Sequence, residues 1–84
     1  MKLVFSDEAW DDYQHWLKHD RKRIERINVL IKEAMRTPFV GIGKPEPLKH
    51  ALAGWWSRRI DGEHRFVYRV VGDELQIAQL RYHY

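Results

Sequence analysis

Two turn dipeptides, Asp61-Gly62 and Gly72-Asp73, cut the C-terminal half of the chain into three stretches of strand length. Asp and Gly tolerate the positive-φ positions that a tight reversal needs, so each dipeptide predicts a hairpin. Strands are expected over 55–60, 64–71 and 75–82, with a further short strand over 48–52. In the middle strand Phe66, Tyr68 and Val70 alternate with Arg65, Val67 and Arg69. Side chains alternate across a strand, so Arg65 falls on the face opposite the aromatic pair.

The N-terminal half carries a different period. Residues 2–5 read as a short strand, and Ser6 is a suitable N-cap with Asp7 and Glu8 at the positive end of the helix dipole. Trp10, Tyr13, Trp16 and Leu17 recur at helical spacing to about His19. Asp20 can cap a second helix with Ile24, Ile27, Leu30, Ile31, Ala34 and Met35 as its apolar stripe, ending before Thr37-Pro38. Helices joined this tightly form an antiparallel hairpin. The order β-α-α-β-β-β therefore predicts an α+β fold, an antiparallel sheet with two helices on one face and the other face open.

With 84 residues the expectation is one domain over 1–84, and 44% apolar and 13% aromatic content can build a compact core. Four tryptophans in so short a chain suggest an interface as well as a core. The chain has no cysteine, which excludes disulfides and thiolate metal sites. No apolar run reaches the length of a signal peptide or a membrane span, so a soluble, cytoplasmic protein is expected.

The net charge is only +3, but it is unevenly spread. Up to residue 20, Lys2 and Lys18 face Asp7, Glu8, Asp11, Asp12 and Asp20; between 44 and 69, Lys44, Lys49, Arg58, Arg59, Arg65 and Arg69 face Glu46, Asp61 and Glu63. An anionic partner would meet the C-terminal half.

Three segments there carry groups suited to chemistry. Lys44-Pro45-Glu46-Pro47-Leu48-Lys49-His50 presents a carboxylate between prolines that restrict its backbone. Trp55-Trp56-Ser57-Arg58-Arg59 and Glu63-His64-Arg65 concentrate guanidinium groups, whose forks match phosphate oxygens. Arg81-Tyr82-His83-Tyr84 supplies an imidazole able to exchange protons near neutrality. A strand running to the last residue would gather His83, the Tyr84 phenol and a carboxylate in one small space. Metal-independent RNA cleavage needs a base for the 2′-hydroxyl, cations for charge building on phosphorus and an acid for the departing 5′-oxygen. Glu46, Arg65 and His83 match those roles.

KPEPLKH, WSRR, EHR and the closing RYHY together resemble a YoeB-type toxin of the RelE superfamily, over nearly the whole chain. The resemblance implies the small RelE-like fold and a ribosome-dependent endoribonuclease that cuts mRNA in the 30S A site and so stops translation. It implies no cofactor, a cognate YefM-like antitoxin whose C-terminal segment covers the basic site, and a homodimer. By matching motif positions, Glu46 is the general base, Arg65 stabilises the phosphorane-like transition state, His83 is the general acid and Tyr84 positions substrate. Lys49 and Arg59 hold phosphates, Glu63 orients a neighbour, and Lys44 and Arg58 add to the RNA-binding set. Val40 and Ile42 make the loop before KPEPLKH more apolar than the resemblance suggests.

A second reading is a non-catalytic relative of the same fold that inhibits a protein target such as gyrase by binding. Such a relative has no need of an acid, an arginine and a terminal histidine in these places. His15 and His19 are four apart, a zinc-compatible spacing, but no acid or third histidine completes a site. A solvated helix face is expected there.

Overall fold

The computed structural model describes residues 1–83. In chain order its elements are β1 (Lys2–Phe5), α1 (Asp7–His19), α2 (Arg21–Arg36), β2 (Glu46–Pro47), a 3₁₀ turn (His50–Leu52), β3 (Trp56–Arg59), β4 (Arg65–Val71) and β5 (Glu74–Gln79). The strands form one sheet in the order β1-β5-β4-β3-β2. Strands β2 to β5 are antiparallel neighbours as expected, whereas β1 pairs with β5 in parallel, so the complete sheet is mixed. The helical hairpin carries the chain over the sheet before β2, and turn chemistry says nothing about where β1 docks. The anticipated strand over 48–52 is instead the 3₁₀ turn, and the short strand lies just before it at Glu46–Pro47.

Both helices start on the caps the sequence offers. Ser6 Oγ accepts the Ala9 N–H at 3.0 Å and donates to the Ala78 carbonyl at 2.8 Å, so the cap also ties α1 to β5. Asp20 caps α2 through the Arg23 N–H at 3.1 Å. From α2, Ile24, Ile27, Leu30, Ile31 and Ala34 enter the core and meet Phe66, Tyr68, Leu75, Ile77 and Leu80 from the sheet. The buried stripe of α1 differs from the expected one: it consists of Ala9, Asp12 and Trp16, while Trp10 and Leu17 are exposed. Trp10 packs beside Phe5 and Tyr13 at the rim near β1.

Arg58 corrects a sequence expectation. The sequence places it in the RNA-binding set, yet its side chain is wholly buried on the helix side of β3. Its Nε donates to Tyr68 Oη at 2.9 Å, Nη1 to the Ile42 carbonyl at 3.1 Å, and Nη2 to the carbonyls of Thr37 at 2.6 Å and Val40 at 3.1 Å. Tyr68 Oη passes the chain on to the Pro38 carbonyl at 2.6 Å, and burial pushes the phenol pKa up. An arginine stays charged at any accessible pH, so these carbonyl dipoles stand in for water around the cation. The loop from Thr37 to Gly43 is thereby folded around a guanidinium. Gly43 fits this wrap because its φ is +82° and a Cβ there would lie 2.8 Å from Leu30 Cδ2 and 3.2 Å from Arg58 Cβ.

Truncating Arg58 leaves several inward-facing carbonyls and a phenol without a donor. Arg58→Ala is expected to destabilise the fold by about 3–5 kcal/mol, read as a lower urea midpoint at similar m-value. A change under about 1 kcal/mol would show that the loop does not depend on this cation.

Candidate active site

The face of the sheet away from the helices is assembled by register. Glu46 opposes Ser57, Ser57 opposes Val67, and Val67 opposes Gln79, so these residues cross the sheet in one row. Two residues along, Arg59 directly opposes Arg65 on the same face. By strand spacing and rise, Glu46 and Arg65 lie roughly 12 Å apart at Cα, within joint reach of one phosphodiester for long side chains. Arg69 extends the face, its guanidinium 4.4 Å above the Trp55 ring and its Nε donating to Gln76 Oε1 at 2.7 Å. This face is not bare: Ser57, Arg65, Val67 and Leu48 are all buried, although none belongs to the helix-side core cluster.

Like charges directly opposite on neighbouring strands repel. Among the described residues neither Arg59 nor Arg65 makes an ion pair with a carboxylate. Asp61, two residues after Arg59, pairs with Arg23 on α2 instead. Arg65 is held by its Nη1, which donates to the Asp61 carbonyl at 2.8 Å and the His64 carbonyl at 3.1 Å. An anion between the two guanidiniums would turn their repulsion into attraction.

The turn that sets Arg65 is built by Asp61. Its Oδ1 accepts the N–H groups of Glu63 and His64, each at 2.7 Å. Burial pushes the carboxyl pKa up, but those N–H bonds and the Arg23 charge outweigh it and hold the value below the usual aspartate range. The connection is therefore wider than the two-residue hairpin that Asp61-Gly62 suggested, with β4 beginning at Arg65.

Beyond β5 the chain departs from the expected strand over 75–82. Strand pairing ends at Gln79, and the next residues are fixed by side chains instead. The Asp12 carboxylate accepts the Leu80 N–H at 3.0 Å, and Trp16 Nε1 donates to the Leu80 carbonyl at 2.9 Å. Burial pushes the Asp12 pKa up. Gln79 Nε2 donates to the Arg81 carbonyl at 3.0 Å. His64 Nδ1 accepts the Tyr82 N–H at 2.7 Å, and the Arg65 N–H donates to the Tyr82 carbonyl at 3.0 Å. Tyr82 adopts φ +64°, a conformation costing of order 1 kcal/mol for a non-glycine residue. His83 follows at once, exposed, one residue beyond the backbone bond to Arg65.

The structure thus brings Glu46, Arg59 and Arg65 onto one face and starts His83 beside Arg65. Glu46 contributes with Lys49 and His50 to a concavity of about 320 Å³. Lys44 and Lys49 are exposed on the approach to and exit from β2. Glu63 is exposed, its carboxylate 3.8 Å from His64 Nε2. Arg58 lies on the other face, inside the core. Tyr84 falls outside the described residues. The His15 and His19 rings lie 4.8 Å apart at a tilt of 47°, and among the described residues no group of three or more metal-binding side chains gathers. No helix among the described residues is long and apolar enough to cross a membrane. Sequence reasoning missed Asp12, Trp16 and His64. The one available signal for Asp12 was its place, three after Ala9 and four before Trp16, on the face that becomes buried.

Two helices on one side of a small mixed sheet, with arginines on the other, define a small α+β fold of the RelE-like type. A family model described as a YoeB-like toxin of bacterial type II toxin-antitoxin systems matches residues 5–84. Toxin YoeB of Escherichia coli K12 is 60% identical over 84 residues, covering all of both chains. The solved YoeB/ParE toxin from Agrobacterium tumefaciens is 57% identical with a TM-score of 0.98, again covering both chains fully. YoeB of Staphylococcus aureus, 44% identical and covering 100% of this chain and 98% of its own, has been solved as a dimer (TM-score 0.93) and in a heterotetrameric YoeB-YefM toxin-antitoxin complex (TM-score 0.92). The chain belongs to the YoeB family of type II toxin–antitoxin toxins.

Because the Asp61 pKa is depressed by folding, its contribution is present above the ordinary aspartate value and is lost as pH falls through the lowered one. Asp61→Ala is expected to cost about 1–3 kcal/mol at neutral pH through the uncapped N–H groups. The difference from the parent protein should shrink in acid; a difference constant from neutral pH down to strong acid would contradict the assigned role.

Proposed function

We propose that this toxin is an endoribonuclease that cuts mRNA in the A site of translating ribosomes, using side chains alone and no metal. The reading is carried by one juxtaposition: a carboxylate at Glu46 and a directly opposed arginine pair on one sheet face, with His83 starting beside Arg65. Glu46 takes the proton from a ribose 2′-hydroxyl, and the resulting oxygen attacks the adjacent phosphorus. Arg65, its guanidinium pre-set by two carbonyls, stabilises the charge that grows on the phosphoryl oxygens. The bond to the 5′-oxygen breaks as His83 donates a proton to it, leaving a 2′,3′-cyclic phosphate and a 5′-hydroxyl. Arg59 and Lys49 hold flanking phosphates, Lys44 adds to the field, Glu63 orients His64, and Tyr84 positions substrate.

Ribosomal mRNA is the substrate and the cytoplasm the place of action. As the Staphylococcus aureus complex is one of YoeB with YefM, a YefM-like antitoxin is the proposed inhibitor, its C-terminal segment covering the basic face. The dimer of that relative likewise supports a homodimer here.

Purified toxin should cut mRNA-programmed ribosomes at the A-site codon, leave naked mRNA intact and yield a 2′,3′-cyclic phosphate. Glu46→Gln and His83→Ala are each expected to slow single-turnover cleavage by about 10²–10⁴-fold, and Arg65→Ala by about 10²–10³-fold, with melting curves checked alongside. Absence of cleavage by folded, antitoxin-free toxin would instead favour inhibition by binding a protein target.

A further inference from the structure

Residues 80 to 82 lie outside the strand ladder, yet their main-chain polar groups are taken up by specific partners. Leu80 is fixed at both ends by α1, through Asp12 and Trp16. Tyr82 is fixed at both ends by the start of β4, through the His64 imidazole and the Arg65 N–H. Between them the Arg81 carbonyl accepts from Gln79.

Of these partners His64 differs in kind. Asp12 and Trp16 act before the chain turns, and the Arg65 N–H with a longer 3.5 Å contact from Gln79 Nε2 meets the Tyr82 carbonyl, whereas His64 takes the N–H of this residue in the left-handed conformation immediately before His83. A non-glycine residue stays there only while its surroundings over-determine it. The imidazole is itself almost buried, lies edge-on to Trp16 at a centroid separation of 4.9 Å, and sits 5.8 Å from the Tyr82 ring. Because Nδ1 accepts the Tyr82 N–H, the ring hydrogen belongs on Nε2, the nitrogen that faces the Glu63 carboxylate at 3.8 Å. That carboxylate favours the same tautomer.

We propose that His64 is a positioning residue for the cleavage reaction: its Nδ1 locks the Tyr82 backbone and thereby aims His83 at the phosphate held by Arg65. This rests on the endoribonuclease reading. His64 touches neither substrate nor reacting atoms. Its effect is on the orientation of the acid, where a displacement of about 1 Å can slow a reaction by about a hundredfold.

The test compares His64→Asn, His64→Gln and His64→Leu in the full-length, antitoxin-free toxin. Asn places Oδ1 where Nδ1 stands and can accept the Tyr82 N–H, Gln extends past that position, and Leu has no acceptor. Three quantities are read: the melting curve, hydrogen exchange at the Tyr82 amide, and kcat and KM for cleavage of mRNA-programmed ribosomes. The Tyr82 amide should be protected in the parent and in His64→Asn, and exposed in His64→Leu and His64→Gln. The kcat should fall by about 10–100-fold in Leu and Gln with KM within about twofold, and return to within about threefold of the parent in Asn. Three results each overturn the proposal: a Leu variant with parental kcat, a Leu variant with its Tyr82 amide still protected, or an Asn variant with protected amide but the Leu-like kcat. If the parent cuts nothing, the endoribonuclease reading fails and takes the catalytic consequence with it. The exchange data then show separately whether His64 holds Tyr82.

Discussion

A guanidinium that pairs with no carboxylate among the described residues sits at the centre of this fold. Arg58 is wholly buried, and its charge is met by a phenol and the carbonyls of the loop after α2. A buried charge is costly unless polar groups surround it, so the loop has little freedom to be elsewhere. That constraint propagates. The loop ends at Gly43, whose carbonyl accepts the Arg59 N–H at 2.7 Å, and the chain then enters β2 with Glu46 set against Ser57. One arginine inside the core thus fixes where the carboxylate on the opposite face stands. Its sequence neighbour Arg59 points to that face, since successive strand residues alternate.

The other margin of the site is built by a second device. Where strand pairing ends, Asp12 and Trp16 from α1 and His64 from the β4 entry take over the main-chain groups of the C-terminal segment. Each accounts for a donor or acceptor that the sheet no longer serves. The arrangement includes an acid whose pKa is raised by burial and a residue at positive φ, both unfavourable in isolation. Such local cost is tolerated when the rest of the fold supports it, and it concentrates where a chain must hold one geometry. Opposition of Arg59 to Arg65 belongs to the same pattern, a repulsion suited to an anionic ligand.

Much of the architecture was legible from local rules. Ser6 and Asp20 cap the two helices, the apolar stripe of α2 is buried, and β3, β4 and β5 fall within or near the stretches marked by Asp61-Gly62 and Gly72-Asp73. Alternation in β4 put Phe66 and Tyr68 in the core and Arg65 on the other face. The family membership was legible too, because KPEPLKH and RYHY combine residue types that few folds would place together. Less legible were the details that depend on contact between distant segments. Arg58 and Arg59 look equivalent in sequence, yet one is core and one is surface. The segment after Gln79 has strand-forming residues but no strand, because its hydrogen-bonding groups find side-chain partners instead.

What the sequence determined by itself follows from short-range physics: caps act within one helical turn, hairpin signals within a few residues, and apolar periodicity along a single element. These fixed the element order, the facing of α2 and β4, and the chemical inventory of acid, arginines and terminal histidine. Only the tertiary structure decided that β1 joins β5 in parallel, that Arg58 is solvated by a loop, and that His64 and Asp12 hold residues 80 to 82. Each of these depends on groups far apart in the chain satisfying one another's charge or hydrogen bonds. No local pattern records such a requirement, since it arises only when burial removes the water that would otherwise meet it.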